Sequence, residues 1–297
     1  MKRKTVQAYT FLSPFLVLVS LFYLLPAILT IIMSFTGLDA TFQWNFVGLS
    51  NYRKIFLDPN NGLILANTLV YIFSAMVLII LLDLFIAIMT AYFIRSNAWA
   101  SLFKSIIMLP MVTPSVIYSI LWLWYLDATE NGFINKVVHF FRPSGSPTNW
   151  IADYPMAVII LVEVVVALAY GAIILSSAIR SIPENQFRAA RVDGASEWEI
   201  VWQIIIPNIS SHIKFVVMWE TLGLLTNYIN IMLITNGGPL NRTEVWALSA
   251  YHKAFVDQQY GYGAAISVML ILVVFMLMLL FGFASKHVRA KGEKEND

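Results

Sequence analysis

Three carboxylates, Asp83, Glu163 and Glu220, stand inside the most apolar stretches of the chain. A charged carboxylate is costly there, so each is either a proton carrier or a protonated or paired acid packed against another subunit. Each is the single acid of its stretch, no histidine shares it, and Lys214, near one end of its stretch, is the nearest cation in sequence. That isolation favours the paired state over a proton relay. Glu220 is the exception, because Trp219, Thr221, Thr226, Asn227, Tyr228 and Asn230 surround it in sequence. On a helix Glu220, Gly223 and Asn227 share a face, and Thr226 and Asn227 each lie one turn from Asn230. This predicts an inward polar stripe. Tyr118, Trp122, Trp124 and Tyr125 form a second polar-aromatic group. Interhelical hydrogen bonding and an interfacial aromatic belt compete with a binding role for these residues. Other chemistry is missing from the sequence. There is no cysteine, so no disulfide, thiolate ligand or thiol nucleophile. His139, His212, His252 and His287 are scattered, with no metal-binding spacing. None of the 14 glycines precedes a lysine, so there is no phosphate loop.

The elements that must carry these residues are membrane helices. Hydrophobic residues make up 59% of the 297-residue chain and charged residues 12%, against roughly 45–50% and about 25% in soluble domains. The net charge of +2 gives no argument for nucleic acid. A bilayer core needs about 20 apolar helical residues. Six stretches qualify: Phe11–Phe35, Leu63–Ile94, Ser105–Leu126, Tyr154–Ile179, Ile213–Asn236 and Gly261–Ser285. Strict alternation is weak, which favours helices over a barrel. The third stretch is interrupted by Pro110 and Pro114. The first is too long for a signal-peptide core and lacks a clear cleavage site, so it reads as a retained span. With the N-terminus inside, 13 of the 19 Lys and Arg residues fall on the inner side, as the positive-inside rule requires. Both termini are then cytoplasmic, and the outer loops are 37–62, 127–153 and 237–260.

This orientation puts the long connection Arg180–His212 inside, whereas Arg95–Lys104 is short. A loop of that length is usually functional. Ser181-Ile182-Pro183-Glu184 and Ser196-Glu197-Trp198-Glu199 each read as a capping box. Asp193-Gly194 ends the first helix through a left-handed residue, and Pro207 interrupts the second. The pattern predicts a helix, a glycine turn and a second helix. It suits a docking element, although an inert amphipathic hairpin has the same caps.

Ala189-Ala190, three residues, Gly194, nine residues, Ile204, Ile205, Ile206-Pro207 resembles the "EAA" loop of bacterial ABC importer permeases. Arg188 stands where the family has Glu, and Ile206 where it has Leu. The runs Thr235-Asn236-Gly237-Gly238-Pro239, Tyr251, Ala254-Phe255 and Gly261-Tyr262-Gly263-Ala264-Ala265 resemble the carbohydrate branch of that family, the MalF-like sugar permeases. The resemblance implies an all-α integral membrane protein with six transmembrane helices and the type I importer permease fold. It implies a cytoplasmic N-terminus at 1–10, a first span at 11–35, an outer loop at 36–62, a permease domain at 63–285 containing the loop 180–212, and a cytoplasmic tail at 286–297. It implies a non-enzymatic subunit of an ATP-driven sugar or oligosaccharide importer in the bacterial inner membrane. Its implied partners are a second permease chain, an ATPase dimer that holds ATP and Mg, and an extracytoplasmic solute-binding protein. The implied coupling residues are Glu184, Phe187, Arg188, Ala189, Ala190, Asp193, Gly194, Ala195, Ile204 and Pro207. Glu184 or Glu197 could stand in for the missing family Glu. For a sugar, aromatic faces and hydrogen-bonding groups are needed, and Tyr118, Glu220, Asn227, Tyr228 and Asn230 are the candidates. Glycerol-phosphate import is an alternative, disfavoured by the lack of deep cations. An ion-coupled secondary transporter is a further one.

Overall fold

A computed structural model describes residues 2–143 and 145–294. Met1 of the expected N-terminal segment, Ser144 of the second outer loop, and residues 295–297 of the expected tail lie outside the described residues. Among the described residues five helices are long and apolar enough to cross a bilayer: Thr10–Ser34, Pro59–Phe93, Pro155–Arg180, Glu197–Thr226 and Tyr260–Leu280. We call them spans one, two, four, five and six. Span three is a bent pair, Asn97–Val112 and Ser115–Tyr125, with 101° between its arms. Counted as one crossing it completes the six expected. Among the described residues there is no β-ladder, only a lone bridge between Thr36 and Phe46.

The chain divides into two compact units. One comprises residues 1–63 and 246–279. Within it, Ile55 of the helix Ser50–Leu57 packs with Ala250, Tyr262, Ala265 and Ile266. Lys54 donates to Gln259 Oε1 at 2.9 Å and lies 4.2 Å from the centre of the Tyr262 ring. Span one buries none of its apolar window within the chain, so lipid or another subunit must cover it.

The other unit comprises residues 64–245 and 280–297. Span four is its axis, with half of its apolar window buried. It packs against span five and against the first arm of span three. One core joins Ala87, Ile88, Leu175, Ile179, Phe187, Ile200, Val201 and Ile205. A second joins Tyr118, Leu126, Val158, Val162 and Ile234.

Three expectations about helix boundaries are corrected. Arg95–Lys104 is not an open connection, because helix resumes at Asn97 with Ser96 as its N-cap. The third span, expected from Ser105 with breaks at Pro110 and Pro114, therefore starts eight residues early. It turns sharply at Thr113-Pro114, while Pro110 is accommodated inside the first arm. Pro114 cannot continue a helix for the residue before it, which is pushed to extended geometry. Span five does not start at Ile213. It is continuous from Glu197 and passes Pro207 through a π-helical turn, Val201–Ile205. The wider turn removes the need for the proline N–H, so Pro207 does not break the helix. Nor does span five run to Asn236: helix stops at Thr226 and resumes as Ile229–Ile234.

Candidate functional site

Two parts of the larger unit bring the sequence candidates together: the hairpin 184–207 and the break in span five. In the hairpin, the helix Glu184–Val192 seats Phe187 in the core of the unit, with 6% of its surface exposed. The Phe187 ring lies 5.4 Å from Tyr92 at the end of span two. Arg191 donates to the Tyr92 hydroxyl at 3.1 Å, and that hydroxyl donates to Glu197 Oε2. Arg191 also lies 3.6 Å from Glu197 Oε1. The Tyr92 hydroxyl beside it, more than the Glu197 charge, raises the Arg191 guanidinium above its ordinary value. It stays a cation at any physiological pH. Asn208 completes the ties by donating to Gln186 Oε1 at 3.2 Å. The hairpin is thus fastened to spans two and five by packing and by a ring of polar contacts.

Its turn follows from one residue. Gly194 has φ +84°, a conformation that side-chain-bearing residues avoid at about 1–2 kcal/mol. The Ala195 N–H then reaches the Ala190 carbonyl at 2.9 Å, and the Gly194 N–H the Arg191 carbonyl at 3.2 Å. These are the two bonds of a Schellman cap. Ala190 and Ala195 pack inward on the core. The second capping box is present: the Ser196 side chain accepts from the Glu199 N–H while Glu199 Oε2 accepts from the Ser196 N–H. The first expected box is absent. Pro183 is the N-cap and makes no side-chain cap. Ser181 instead returns its hydroxyl to the Ala178 carbonyl.

The outward face carries Glu184, Arg188, Ala189, Val192 and Asp193, all exposed. Arg188 pairs with Glu184 at 3.7 Å, both largely in solvent. Of the suggested stand-ins for the family Glu, Glu184 balances Arg188 and Glu197 balances Arg191. Ile204 is half-buried in the π turn and Pro207 is exposed. Tyr92, Arg191 and Asn208 were not among the sequence candidates. Tyr92 closes a long apolar run, and Asn208 follows the motif proline, so spacing alone flagged neither.

The second part is polar and membrane-deep. At Asn227 the backbone turns extended, ψ 126°. Its side chain is used twice: Oδ1 accepts from the Ile229 N–H at 3.2 Å, and Nδ2 donates to Glu163 Oε1 at 2.8 Å. Asn230 Nδ2 donates to Glu163 Oε2 at 3.0 Å. One carboxylate on span four therefore joins the two sides of the break. The expected helical stripe is corrected here, because Asn227 lies outside the helix and its relation to Thr226 and Asn230 is not helical. Glu163 is paired, but the expectation that such an acid packs against another subunit is corrected, because its partners lie within this chain. Tyr118 donates to the Val162 carbonyl at 2.7 Å and is buried. Tyr228 is half-exposed at the break. Glu220 is buried within electrostatic reach of Glu163 and Asp83. Asp83 packs against Gly171, where a Cβ would run into Asp83 Oδ2. The hydroxyls of Thr221 and Thr226 bond back to their own helix. Among the described residues no cluster of His, Asp or Glu could hold a metal ion.

The family profile of binding-protein-dependent transport system inner membrane components matches residues 83–290. A probable ABC transporter permease protein of Pyrococcus horikoshii is 31% identical over 262 residues, covering 86% of this chain and 87% of the relative. A lactose transport system permease protein of Rhizobium radiobacter is 26% identical over 257 residues, covering 84% of each. The fold is shared with a chain of a bacterial alginate ABC transporter, solved in complex with an alginate pentasaccharide-bound periplasmic protein. That match has a TM-score of 0.84 at 16% identity and covers 96% of both chains. The chain is a multi-pass inner-membrane protein and belongs to the binding-protein-dependent transport system inner membrane components, the permease subunits of ABC transporters.

Proposed function

We propose that this permease subunit forms half of the translocation pathway of a sugar importer and is driven through the hairpin 184–207 by a separate ATPase. The observation that carries the coupling role is the two-sided hairpin. Phe187, Ala190 and the Tyr92–Arg191–Glu197 contacts fasten its inner side, while Arg188, Ala189 and Val192 stay open. A push on the open side is transmitted to spans two and five without local yielding, which is what a lever between two states must do. With no phosphate loop in the chain, ATP and Mg belong on the partner. Both termini and the hairpin are cytoplasmic in this reading, as the distribution of Lys and Arg requires. A second permease chain supplies the other half of the pathway, and an extracytoplasmic solute-binding protein delivers cargo to the outer loops. The domain layout is a first span at 11–35 followed by the permease domain at 63–285.

The sugar class is supported by the relative that carries lactose and by the structural neighbour crystallised with an oligosaccharide-loaded periplasmic protein. The residues bonded to Glu163 are Asn227 and Asn230, neutral donors that suit a polyhydroxylated solute better than a phosphorylated one. Tyr118, Glu220, Asn227, Tyr228 and Asn230 bound or support the pathway.

The test is made on the complete importer in cells. Proline cannot adopt the φ of Gly194, so Gly194→Pro abolishes uptake. Ala189→Trp adds bulk on the open side only. It is expected to leave the permease in the membrane at normal levels while reducing sugar uptake at least tenfold. Normal uptake in both variants overturns the coupling role.

A further inference from the structure

The mid-membrane acid Glu163 has a use that the coupling mechanism does not account for. Span five loses its helix at Asn227 and Tyr228. Non-helical backbone at membrane depth persists only where protein or water-lined space satisfies it. Here the Asn227 side-chain oxygen caps the Ile229 N–H, and one side chain on a neighbouring helix holds the amides of Asn227 and Asn230. Glu163 is 6% exposed and accepts from Asn227 at 2.8 Å with one oxygen and from Asn230 at 3.0 Å with the other. Asn227 is locked in orientation, because its carbonyl oxygen caps the Ile229 N–H. Asn230 is different. Its Oδ1 is buried and has no hydrogen-bond partner. The segment held between the two amides includes Tyr228, half-exposed, and Ile229, 42% exposed. The short helix that follows packs on the second arm of span three, just after that span's own break.

We propose that Glu163 is a positioning residue that clamps the break in span five and so sets the shape of the pathway wall at Thr226–Ile229. The proposal rests on the reading of this chain as half of a translocation pathway. It makes Glu163 act through Asn227 and Asn230, without touching cargo. It also makes a sharp chemical demand: the position needs acceptors, not merely volume. Met matches Glu in length and shape but accepts nothing useful. Gln offers one acceptor, which the fixed Asn227 amide would take. Its own NH2 would then face Asn230, which can turn its amide over because Oδ1 has no bond to lose.

The experiment uses the full importer, purified with its own partner subunits in lipid nanodiscs, and follows backbone hydrogen exchange by mass spectrometry. In Glu163→Met the peptide covering residues 224–234 is expected to exchange about tenfold faster than in the parent. In Glu163→Gln it exchanges within twofold of the parent. Asn227→Ala, at a half-buried position, reproduces the faster exchange. Adding Glu163→Met to Asn227→Ala gives little further change, because both remove one clamp. The peptide covering the hairpin 184–195 is unchanged throughout. Parent-like exchange in Glu163→Met means that volume suffices and overturns the clamp. Equal acceleration in Glu163→Met and Glu163→Gln overturns it too. Should Glu163→Met not assemble, Asn227→Ala alone decides, and parent-like exchange there sinks the proposal. Failure of the permease reading is a separate result: the parent chain would then purify without an ATPase.

Discussion

The hairpin and the break in span five solve the same problem with opposite means. Each interrupts a helix and must hold the flanking segments at a fixed angle. The hairpin uses a left-handed glycine, a Schellman cap, a buried phenylalanine and several redundant polar ties. The break uses two asparagines and one carboxylate. The hairpin is fixed by many small terms, so no single polar contact controls it. The break concentrates its geometry in one acceptor, so one substitution can release it. Redundant packing and polar ties make the hairpin insensitive to the loss of one contact, whereas a small number of contacts leaves the break sensitive to one substitution.

The largest effect expected is on the hairpin's apolar side. Phe187→Ala removes a ring from the core of the larger unit and should cost about 3–5 kcal/mol. It should appear as a lower melting temperature and poor recovery of the assembled importer. A loss under about 1 kcal/mol would break the comparison, because the hairpin would then rest on its polar ties alone. Gly171→Ala comes next. Its Cβ would meet Asp83 Oδ2 and crowd Val216, an overpacking cost of about 1–3 kcal/mol. Asp83→Ala in the same chain should recover most of that cost, which thermal unfolding of the double variant checks. Tyr92→Phe is milder. It removes the hydroxyl that links Arg191 to Glu197 but leaves the ring on Phe187. About 1 kcal/mol is expected, with uptake retained. A large uptake defect would mean that the ties at the hairpin are not redundant.

How much of this was legible in the sequence differs between the two regions. The hairpin's glycine turn and second cap were readable because caps and left-handed residues are local: Ser196, Glu199 and Gly194 act on backbone within three residues. Ser181 misled because its hydroxyl had a closer carbonyl at Ala178. Pro207 misled because a π turn upstream absorbed it. Six crossings were visible from apolar length, and of the two breaks read at Pro110 and Pro114 only the one at Pro114 bends span three, because Pro110 is taken up inside the first arm. The break in span five was hidden behind a plausible helical stripe. The residue where that helix ends, Asn227, is bonded to a carboxylate 64 residues earlier, Glu163, and spacing within one segment carries no information about such a partner. The helical stripe itself does not form, because Asn227 and Tyr228 lie outside the helix. Asn135 shows the same blindness in an outer loop. It is buried and donates to the carbonyls of Asp127, Thr129 and Thr148, yet nothing around it in sequence distinguishes it from an ordinary loop asparagine.

The smallest effect on the fold, and the one that separates the two faces of the hairpin, is at Arg188. Its side chain is 76% exposed and its charge partner, Glu184, is 64% exposed. Such a pair is screened by water and contributes little to stability. Arg188→Glu should therefore leave the melting temperature of the permease unchanged, although it places two acids one turn apart. The consequence belongs to the partner. The resemblance puts a Glu at this position, so under the proposed docking an ATPase adapted to this chain would meet a cation there. Arg188→Glu should reduce the ATPase recovered with the permease several-fold at low salt. The loss should shrink at about 1 M salt, where the screening length falls to about 3 Å. An equal loss at both salt concentrations would assign the defect to packing and not to charge. No loss at either would put Arg188 outside the docked surface and move the contact towards Ala189 and Val192.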